Sequence, residues 1–196
     1  MRPAPDKALP MNDETPNKPR RQPKPATQER LRKAALYYID RYATSAAHLR
    51  SVLMRRDTDP LEGEAWIEEI VSDLVARNLV DDRAFAETRT LSLHRGGASR
   101  RKIAMNLKSK GVGADDIDAA LRSLEETHAN AEFTAARNYA RRRRFGPWRN
   151  ADEREARRDR DLAAMARAGF SFQMAQRVID AADIDALERS LADDDY

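Results

Sequence analysis

The chain has 196 residues, of which 41% are hydrophobic and 35% charged, and this composition indicates a soluble protein with a modest core and a densely charged surface. No segment approaches the roughly 20 apolar residues of a membrane span, no apolar region follows the basic N-terminus as in a secretory signal, and the absence of cysteine excludes disulfides and thiolate metal sites, so we expect a cytoplasmic protein. The net charge of +3 is small, so an electrostatic function depends on where the charges lie.

Residues 1–26 hold seven of the nine prolines and almost no large apolar side chains. Such a segment cannot bury enough surface to offset the entropy of ordering it, so we predict a disordered tail. Its basic cluster, "KPRRQPKP", is either a solvated feature or a weak attraction for an anionic partner.

From Thr27 onward the hydrophobic pattern is helical throughout, and no alternating run is long enough to predict a strand. Ser45 is a predicted N-cap of the second helix. Asp59-Pro60 predicts the start of the third, with Glu62 as the carboxylate of a capping box. Asp81 and Ser171 are expected to open later helices.

Three helix ends share one composition, in which Asn or Gly precedes an apolar residue. They are Asn78-Leu79, Gly111-Val112 and Gly169-Phe170. Asn and Gly tolerate the left-handed conformation, and the apolar residue that follows folds back onto the last helical turn. The pattern therefore predicts three Schellman-type stops.

About nine predicted helices indicate an all-α fold of tandem three-helix repeats. Ser45 matches Ser99 at an offset of 54 residues, and Gly111 matches Gly169 at an offset of 58. Because one such unit buries little surface, the units are expected to stack into an elongated body, although a compact globule remains an alternative. The predicted division is a tail at 1–26, three-helix units at 27–80, 81–127 and 128–182, and an acidic C-terminal segment at 183–196.

A catalytic or metal site has little support in the sequence. The histidines, His48, His94 and His128, lack the spacing of metal ligands, and we interpret them as surface or helix-flanking residues. Asp81 and Asp82 could form a paired-carboxylate site, but their position before a helix favours N-capping. No nucleophile lies in a recognisable motif, so we predict no enzyme activity and no cofactor.

Two basic stretches contain no acidic residue, one from Thr88 to Ala114 and one from Phe133 to Ala151. Arginines that merely coat a helix would explain one such run, but two runs in a chain with 33 acidic residues favour a functional surface. The candidate contacts with an anionic partner are Arg89, Arg95, Arg100, Arg101, Lys102, Lys108, Lys110, Arg141, Arg142, Arg143 and Arg144.

Charge alone does not identify that partner. The turn at Gly96-Gly97 between two helices is also typical of a helix-turn-helix transcription regulator, although Asn106 is the only amide side chain there suited to reading adenine. In "RRRRFGPW", Phe145 and Trp148 beside the arginines suit stacking on nucleic-acid bases or docking in a protein groove.

The stretch "LVDDRAFAETRTLSLHRGGASRRKIAMNLKSKGV", residues 79–112, resembles the signature region of the RecX family, regulators of the bacterial recombinase RecA. The matching elements include "LVDD", "FAE", "RGG" and "KGV". The resemblance continues in "ARAGFSFQMAQRVI" and covers roughly residues 28–182.

This resemblance implies tandem three-helix units in a curved, elongated body that binds along the groove of the RecA filament on single-stranded DNA. There it would restrain ATP hydrolysis, strand exchange and co-protease activity. Some members also contact DNA, so single-stranded DNA is a second expected partner. We expect a monomer that does not engage a membrane. The long proline-rich tail and the arginine-dense third unit depart from the family pattern.

Overall fold

The computed structural model of the protein describes residues 27–56 and 62–192. The predicted N-terminal tail, the Asp59-Pro60 helix start and the last four residues lie outside these ranges. The described part contains ten α-helices, one 3-10 helix and no strand. The helices are α1 Gln28–Arg41, α2 Ala46–Met54, α3 Gly63–Ala76, α4 Asp82–Arg95, α5 Arg100–Ser109, α6 Ala114–Thr127, α7 Ala131–Arg143, a 3-10 turn Gly146–Trp148, α8 Ala151–Arg167, α9 Phe172–Ile179 and α10 Ile184–Ala192.

The predicted helix starts are confirmed at Ser45, Asp81 and Ser171, whose side-chain oxygens each accept a hydrogen bond from the backbone N–H three residues on. The capping box predicted for α3 is wrong. This helix begins at Gly63, with Glu62 in the N-cap position and no side-chain cap bond. Because Glu62 precedes the helix instead of lying in its first turn, it does not complete a capping box.

The three predicted Schellman stops are also confirmed. Asn78, Gly111 and Gly169 have φ angles of 55°, 73° and 96°. In each case the apolar residue that follows donates its backbone N–H to the carbonyl five residues earlier, at 2.9 to 3.2 Å. These bonds satisfy carbonyls that the helix end would otherwise leave without a partner.

Three separate clusters of buried apolar side chains follow one another along the chain. The first joins α1, α2 and α3, the second joins α4, α5 and α6, and the third joins α7, α8, α9 and α10. Each fully buried Leu or Ile contributes about 1.5–3 kcal/mol to folding. The all-α fold of successive three-helix units that the sequence predicts is therefore confirmed.

A tenth helix lies where the sequence analysis assigned only an acidic C-terminal segment. Leu187 of α10 is 1% exposed and completes the third core. Glu188 accepts hydrogen bonds from Arg137 of α7 at 2.8 and 3.0 Å. Ile184, Leu187 and Leu191 recur at the spacing of one helical face, a signal for α10 that the division into three units had left unused.

The junctions between neighbouring units repeat one hydrogen bond. The hydroxyl of Ser45, before α2, donates to the carbonyl of Lys110 at the end of α5. The hydroxyl of Ser99, before α5, donates to the carbonyl of Ala168 at the end of α8, at 2.6 Å. The N-terminus of one second helix thus meets the C-terminus of the next, which brings opposite ends of two helix dipoles together.

A second bond repeats at the same junctions. The carboxylate of Asp82 in α4 accepts the N–H of Ala46 at 2.7 Å, and the carboxylate of Glu132 in α7 accepts the N–H of Arg100 at 2.8 Å. Burial raises the pKa of Glu132 above its usual range, although the bond from Arg100 opposes this. The bonds of Ser99 and Arg100 hold the N-terminus of α5, and the bond from Ser45 to Lys110 holds its C-terminal end.

Candidate anion-binding surface

Helix α5 and its C-cap carry five of the eleven predicted cations. The two fully buried residues of this helix determine the direction in which the cations point. Ile103 and Leu107 face the second core. Because successive residues are about 100° apart around a helix, Arg101, Lys102 and Lys108 face outward and are exposed. Lys108 follows Arg101 by seven residues and lies on the same side of α5.

The first of two clefts beside α5, the α5–α8 cleft, lies between this helix and the end of α8. Its volume is about 570 Å³, and its lining includes Arg101, Lys102 and Arg167. Met105, which is 63% exposed, adds an apolar surface between them. None of the described residues that line the cleft is acidic, so the cleft suits an anionic group beside an apolar one.

Arg167 was not among the residues predicted from the sequence. It lies at the end of "REARRDRDLAAMAR", where acids and bases alternate, so no acid-free run marks it. Its position two residues before Gly169, one of the predicted helix stops, was the available signal. That stop packs against Ser99 and Arg101 and so brings the end of α8 to α5.

The second cleft, the junction cleft, lies where the first unit meets the second and measures about 310 Å³. Its lining includes two tyrosines of the first unit, Tyr38 of α1 and Tyr42, which is the C-cap of α1. It also includes two cations of the second unit, Arg89 of α4 and Lys110 at the end of α5. The Lys110 ammonium lies 3.4 Å from Nε2 of His48. Again, no acid occurs among the described residues of the lining.

His48 is part of this cleft and has an altered titration. Burial lowers the pKa of its imidazole, and the nearby positive charges of Lys110 and Arg55 lower it further. The neutral ring is therefore favoured at neutral pH, and its free nitrogen can accept a hydrogen bond from the Lys110 ammonium.

Asn106 connects the two clefts. Its side chain lines the α5–α8 cleft, and its Oδ1 accepts a hydrogen bond from Nε of Arg89, at 3.0 Å, in the junction cleft. Residues from all three units therefore contribute to one cationic surface on both sides of α5. We call it the α5 surface; its cations are Arg89, Arg101, Lys102, Lys110 and Arg167.

The remaining candidates fall outside this surface. Arg95 is exposed at the end of α4, and a guanidinium nitrogen of Arg142 lies about 3.5 Å from where a Cβ on Gly96 would be. These two cations therefore lie at the same helix–helix turn. The other three arginines of the cluster, Arg141, Arg143 and Arg144, are exposed around the end of α7, where Arg144 adopts a φ of 56°.

Arg100 is committed within the chain, because its guanidinium pairs with the carboxylate of Glu125 on α6. Arg137 and Arg149 of the second basic stretch are likewise paired, with Glu188 and Asp161. Acidic residues from distant parts of the sequence thus meet some of the cations in stretches that themselves contain no acid.

The aromatic residues of "RRRRFGPW" contribute to packing. Phe145 and Trp148 are partly buried against the third core, and Phe145 meets the ring of Tyr139 at 6.1 Å. Arg149 lies over Phe145 and makes two hydrogen bonds to the buried carboxylate of Asp161, at 2.9 and 3.1 Å. The expectation that these rings are available for stacking on a partner is therefore not supported.

The described ranges hold no group of three or more His, Asp or Glu arranged to bind a metal ion. Within the same ranges, no helix has both the length and the apolar character needed to cross a bilayer.

His94 is buried, whereas the sequence analysis expected the histidines at the surface or beside helices. Its Nε2 lies 2.8 Å from the carbonyl oxygen of Ala131.

Comparison with known proteins gives consistent matches. The family model described as RecX, second three-helix domain, matches residues 81–121. Regulatory protein RecX of Myxococcus xanthus is 41% identical over 169 residues, which cover 82% of this chain and 89% of the relative. Its counterpart in Agrobacterium fabrum is 34% identical over 154 residues, covering 76% and 80%.

Among solved structures, a crystal structure of regulatory protein RecX aligns with a TM-score of 0.60. The alignment covers 77% of this chain and 70% of that chain, at 24% sequence identity. At this level of identity the likeness concerns the fold.

Proposed function

Because the chain belongs to the RecX family of regulatory proteins, we propose that it regulates the recombinase RecA, mainly as an inhibitor, by binding the RecA filament on single-stranded DNA. The observation that carries this proposal is the α5 surface, whose cations come from the second and third units and whose two clefts have no acidic residue among their described linings. A filament on DNA presents phosphates and protein carboxylates repeatedly along its length. A cationic surface spread over two units matches such a partner better than a single point of charge.

The junctions support this role because they fix the geometry of the surface. Hydrogen bonds at Ser99 and Lys110 hold the two ends of α5 against its neighbours. Little conformational entropy is then lost when the surface meets a partner, which favours binding. The protein would act by occupying the filament groove and thereby restraining ATP hydrolysis, strand exchange and co-protease activity.

The helix-turn-helix alternative is disfavoured by the start of α5. In a helix-turn-helix reader of duplex DNA, the N-terminal residues of the second helix reach the base edges in the major groove. Here Ser99 is fully buried and is bonded to the end of α8. The backbone at the N-terminus of α5 therefore packs against the third unit, which would obstruct its entry into a major groove.

The proposal is tested by measuring RecA ATPase activity on single-stranded DNA with substoichiometric amounts of this protein. A variant with Arg101→Glu and Lys102→Glu reverses two cations of the α5–α8 cleft. We expect it to need roughly tenfold more protein for half inhibition, since two lost and reversed surface charges are together worth roughly 1–2 kcal/mol.

The matched control is Arg122→Glu, which reverses an exposed cation on α6, outside both clefts. It should inhibit like the wild type, and circular dichroism should show the same helicity for all three proteins. Equal inhibition by the double variant and the control would refute the assigned surface. Failure of the wild type to affect the ATPase would refute the function itself.

A further inference from the structure

The two junctions between units share their hydrogen bonds but differ in one respect. At the second junction the chain before Ser99 packs tightly, because a Cβ on Gly97 would lie 2.7 Å from the backbone nitrogen of Tyr139 in α7. The equivalent position before Ser45, by the same offset of 54, is Ala43. Ala43 lines the junction cleft, so the space that is closed at one junction is open at the other.

The open junction is lined by aromatic rings. The centroids of Tyr38 and Tyr42 lie 5.1 Å apart with planes inclined at 42°, and Phe85 also faces the cleft. Tyr42 is 55% exposed although its ring belongs to the cleft. An exposed aromatic ring at the mouth of a cleft offers a π-face to a planar ligand.

Two cations lie beside these rings. Lys110 reaches the cleft from the end of α5, and Arg89 reaches it from α4. Because Asn106 accepts the Nε hydrogen bond of Arg89, the guanidinium is held in place, and within the described chain its terminal nitrogens form no ion pair. Arginine and lysine are the common ligands of phosphate.

We propose that the junction cleft binds one unstacked nucleotide of single-stranded DNA, with the base on the exposed ring of Tyr42, beside the partly buried Tyr38, and the adjoining phosphate at Arg89 and Lys110. The volume of about 310 Å³ lies at the small end of ligand pockets, which span roughly 300–1,000 Å³, and suits a single nucleotide. The carboxylates of an acidic peptide would pair with the cations, but they would leave the three aromatic rings without a stacking partner. The choice of a DNA strand over a free nucleotide rests on the proposed function, which brings the protein to a filament formed on that strand.

The first test measures the fluorescence anisotropy of a labelled oligodeoxythymidylate with the full chain and without RecA. Tyr42→Ala removes an exposed ring of the cleft and is expected to weaken binding about tenfold, the usual range for loss of one base-stacking partner. Tyr37→Ala is the matched control, since Tyr37 lies on the same helix, is 61% exposed and is outside the cleft lining. Equal affinities for the two variants would overturn the proposal.

The phosphate contact is tested through salt dependence. Lys110→Gln should reduce the slope of log affinity against log salt concentration by about 0.7, the value for one phosphate contact on a single strand. Arg122→Gln, which removes an exposed cation of α6, is the control and should leave the binding at this cleft unchanged. An unchanged slope for Lys110→Gln would overturn the assigned phosphate site.

Location and ligand class are tested by photocrosslinking an oligonucleotide that carries 5-iodo-deoxyuridine, followed by peptide mass spectrometry. We expect the adduct on Tyr38 or Tyr42. An adduct confined to other residues, or displacement of the oligonucleotide by polyglutamate or by thymidine monophosphate at the concentration at which an unlabelled strand displaces it, would overturn the proposal in favour of another site, an acidic peptide or a free nucleotide. Inhibition of RecA ATPase by the wild type, measured in parallel, separates failure of this site from failure of the proposed function.

Discussion

The hydroxyl of Ser99 donates a hydrogen bond to the carbonyl oxygen of Ala168, 69 residues away in sequence and 2.6 Å away in space. The hydroxyl oxygen of Ser99 also accepts a hydrogen bond from the backbone N–H of Lys102 at 3.2 Å and so caps α5. One buried side chain therefore caps α5 and also joins it to the end of α8. These are the two helices between which the α5–α8 cleft lies.

This double role predicts a large effect of Ser99→Ala. The substitution removes a helix cap, worth about 1 kcal/mol, and leaves a carbonyl at a buried position without its donor, at a further cost of about 1–2 kcal/mol. The free energy of unfolding should fall by about 2–3 kcal/mol in urea titrations followed by circular dichroism. Ser171→Ala removes an exposed cap that bonds only Met174 and should lose about 1 kcal/mol. Equal losses would argue against the junction bond.

Substitution of Gly169, at the second junction, should also lower the free energy of unfolding. Gly169 has a φ of 96°, and a Cβ there would lie 2.5 Å from the hydroxyl oxygen of Ser99. Gly169→Ala should therefore lower the free energy of unfolding by about 2 kcal/mol or more. Gly113 has a φ of −65° and open space around it, so Gly113→Ala should change stability by less than about 0.5 kcal/mol. Thermal denaturation of the two variants provides the comparison.

The third core should depend on a buried ion pair. Asp161 is 2% exposed and accepts two hydrogen bonds from Arg149. Asp161→Ala leaves the guanidinium with only its longer contact to Glu153, at 3.6 Å, and should lower the free energy of unfolding by about 2–3 kcal/mol. Asp159→Ala removes an exposed carboxylate from the same helix and should leave the melting temperature unchanged. A similar melting temperature for both variants would contradict the role of the pair.

Neighbouring arginines at the start of α5 should differ in function. Arg100 is paired with Glu125, whereas Arg101 lines the α5–α8 cleft. Arg101→Ala should raise the concentration for half inhibition of RecA ATPase by about two- to fivefold, the value of one surface charge contact, and Arg100→Ala should change it less. The opposite order would show that the partner meets the α6 side of α5.

Stability should decrease on mild acidification because of His48. Burial lowers the pKa of this imidazole from 6.5 in the folded protein. The unfolded chain therefore binds the proton first as pH falls, and the stability present above about pH 6.5 is lost below it, down to the lowered folded pKa. Urea titrations from pH 7.5 to about 5.5 should show this loss in the wild type. His48→Gln, which does not titrate, should show a smaller dependence, and identical pH profiles would exclude His48 as the cause.

Features that depend on neighbours in sequence could be predicted before the structure. The Schellman stops at Gly111 and Gly169 and the caps at Ser45 and Asp81 follow from local backbone chemistry, so a short stretch of residues contains the whole signal. The offset that relates Ser45 to Ser99 was also visible, and the structure gives its physical basis, because both serines bond the end of the following unit's second helix.

Features that depend on distant residues could not be predicted in the same way. The acid-free stretch around α5 does not reveal that Glu125 pairs with Arg100, and it does not include Arg167, which reaches the α5–α8 cleft from a segment of mixed charge. The junction cleft forms where the chain around Ala43 meets α4, a helix that begins about 40 residues later, and no periodicity encodes this relationship. Linear charge patterns therefore identified the basic region but not which of its cations remain available.

The spacing of the junction bonds sets an order of events during synthesis. Ser45 must wait for Lys110, 65 residues downstream, before its hydroxyl finds an acceptor, and Ser99 must wait for Ala168, 69 residues downstream. On the ribosome the first and second units can therefore each bury an apolar core before the N-terminus of the middle helix meets its acceptor. The α5–α8 cleft forms only when the third unit packs against α5. A chain released before that point would contain the basic residues of α5 but not this cleft.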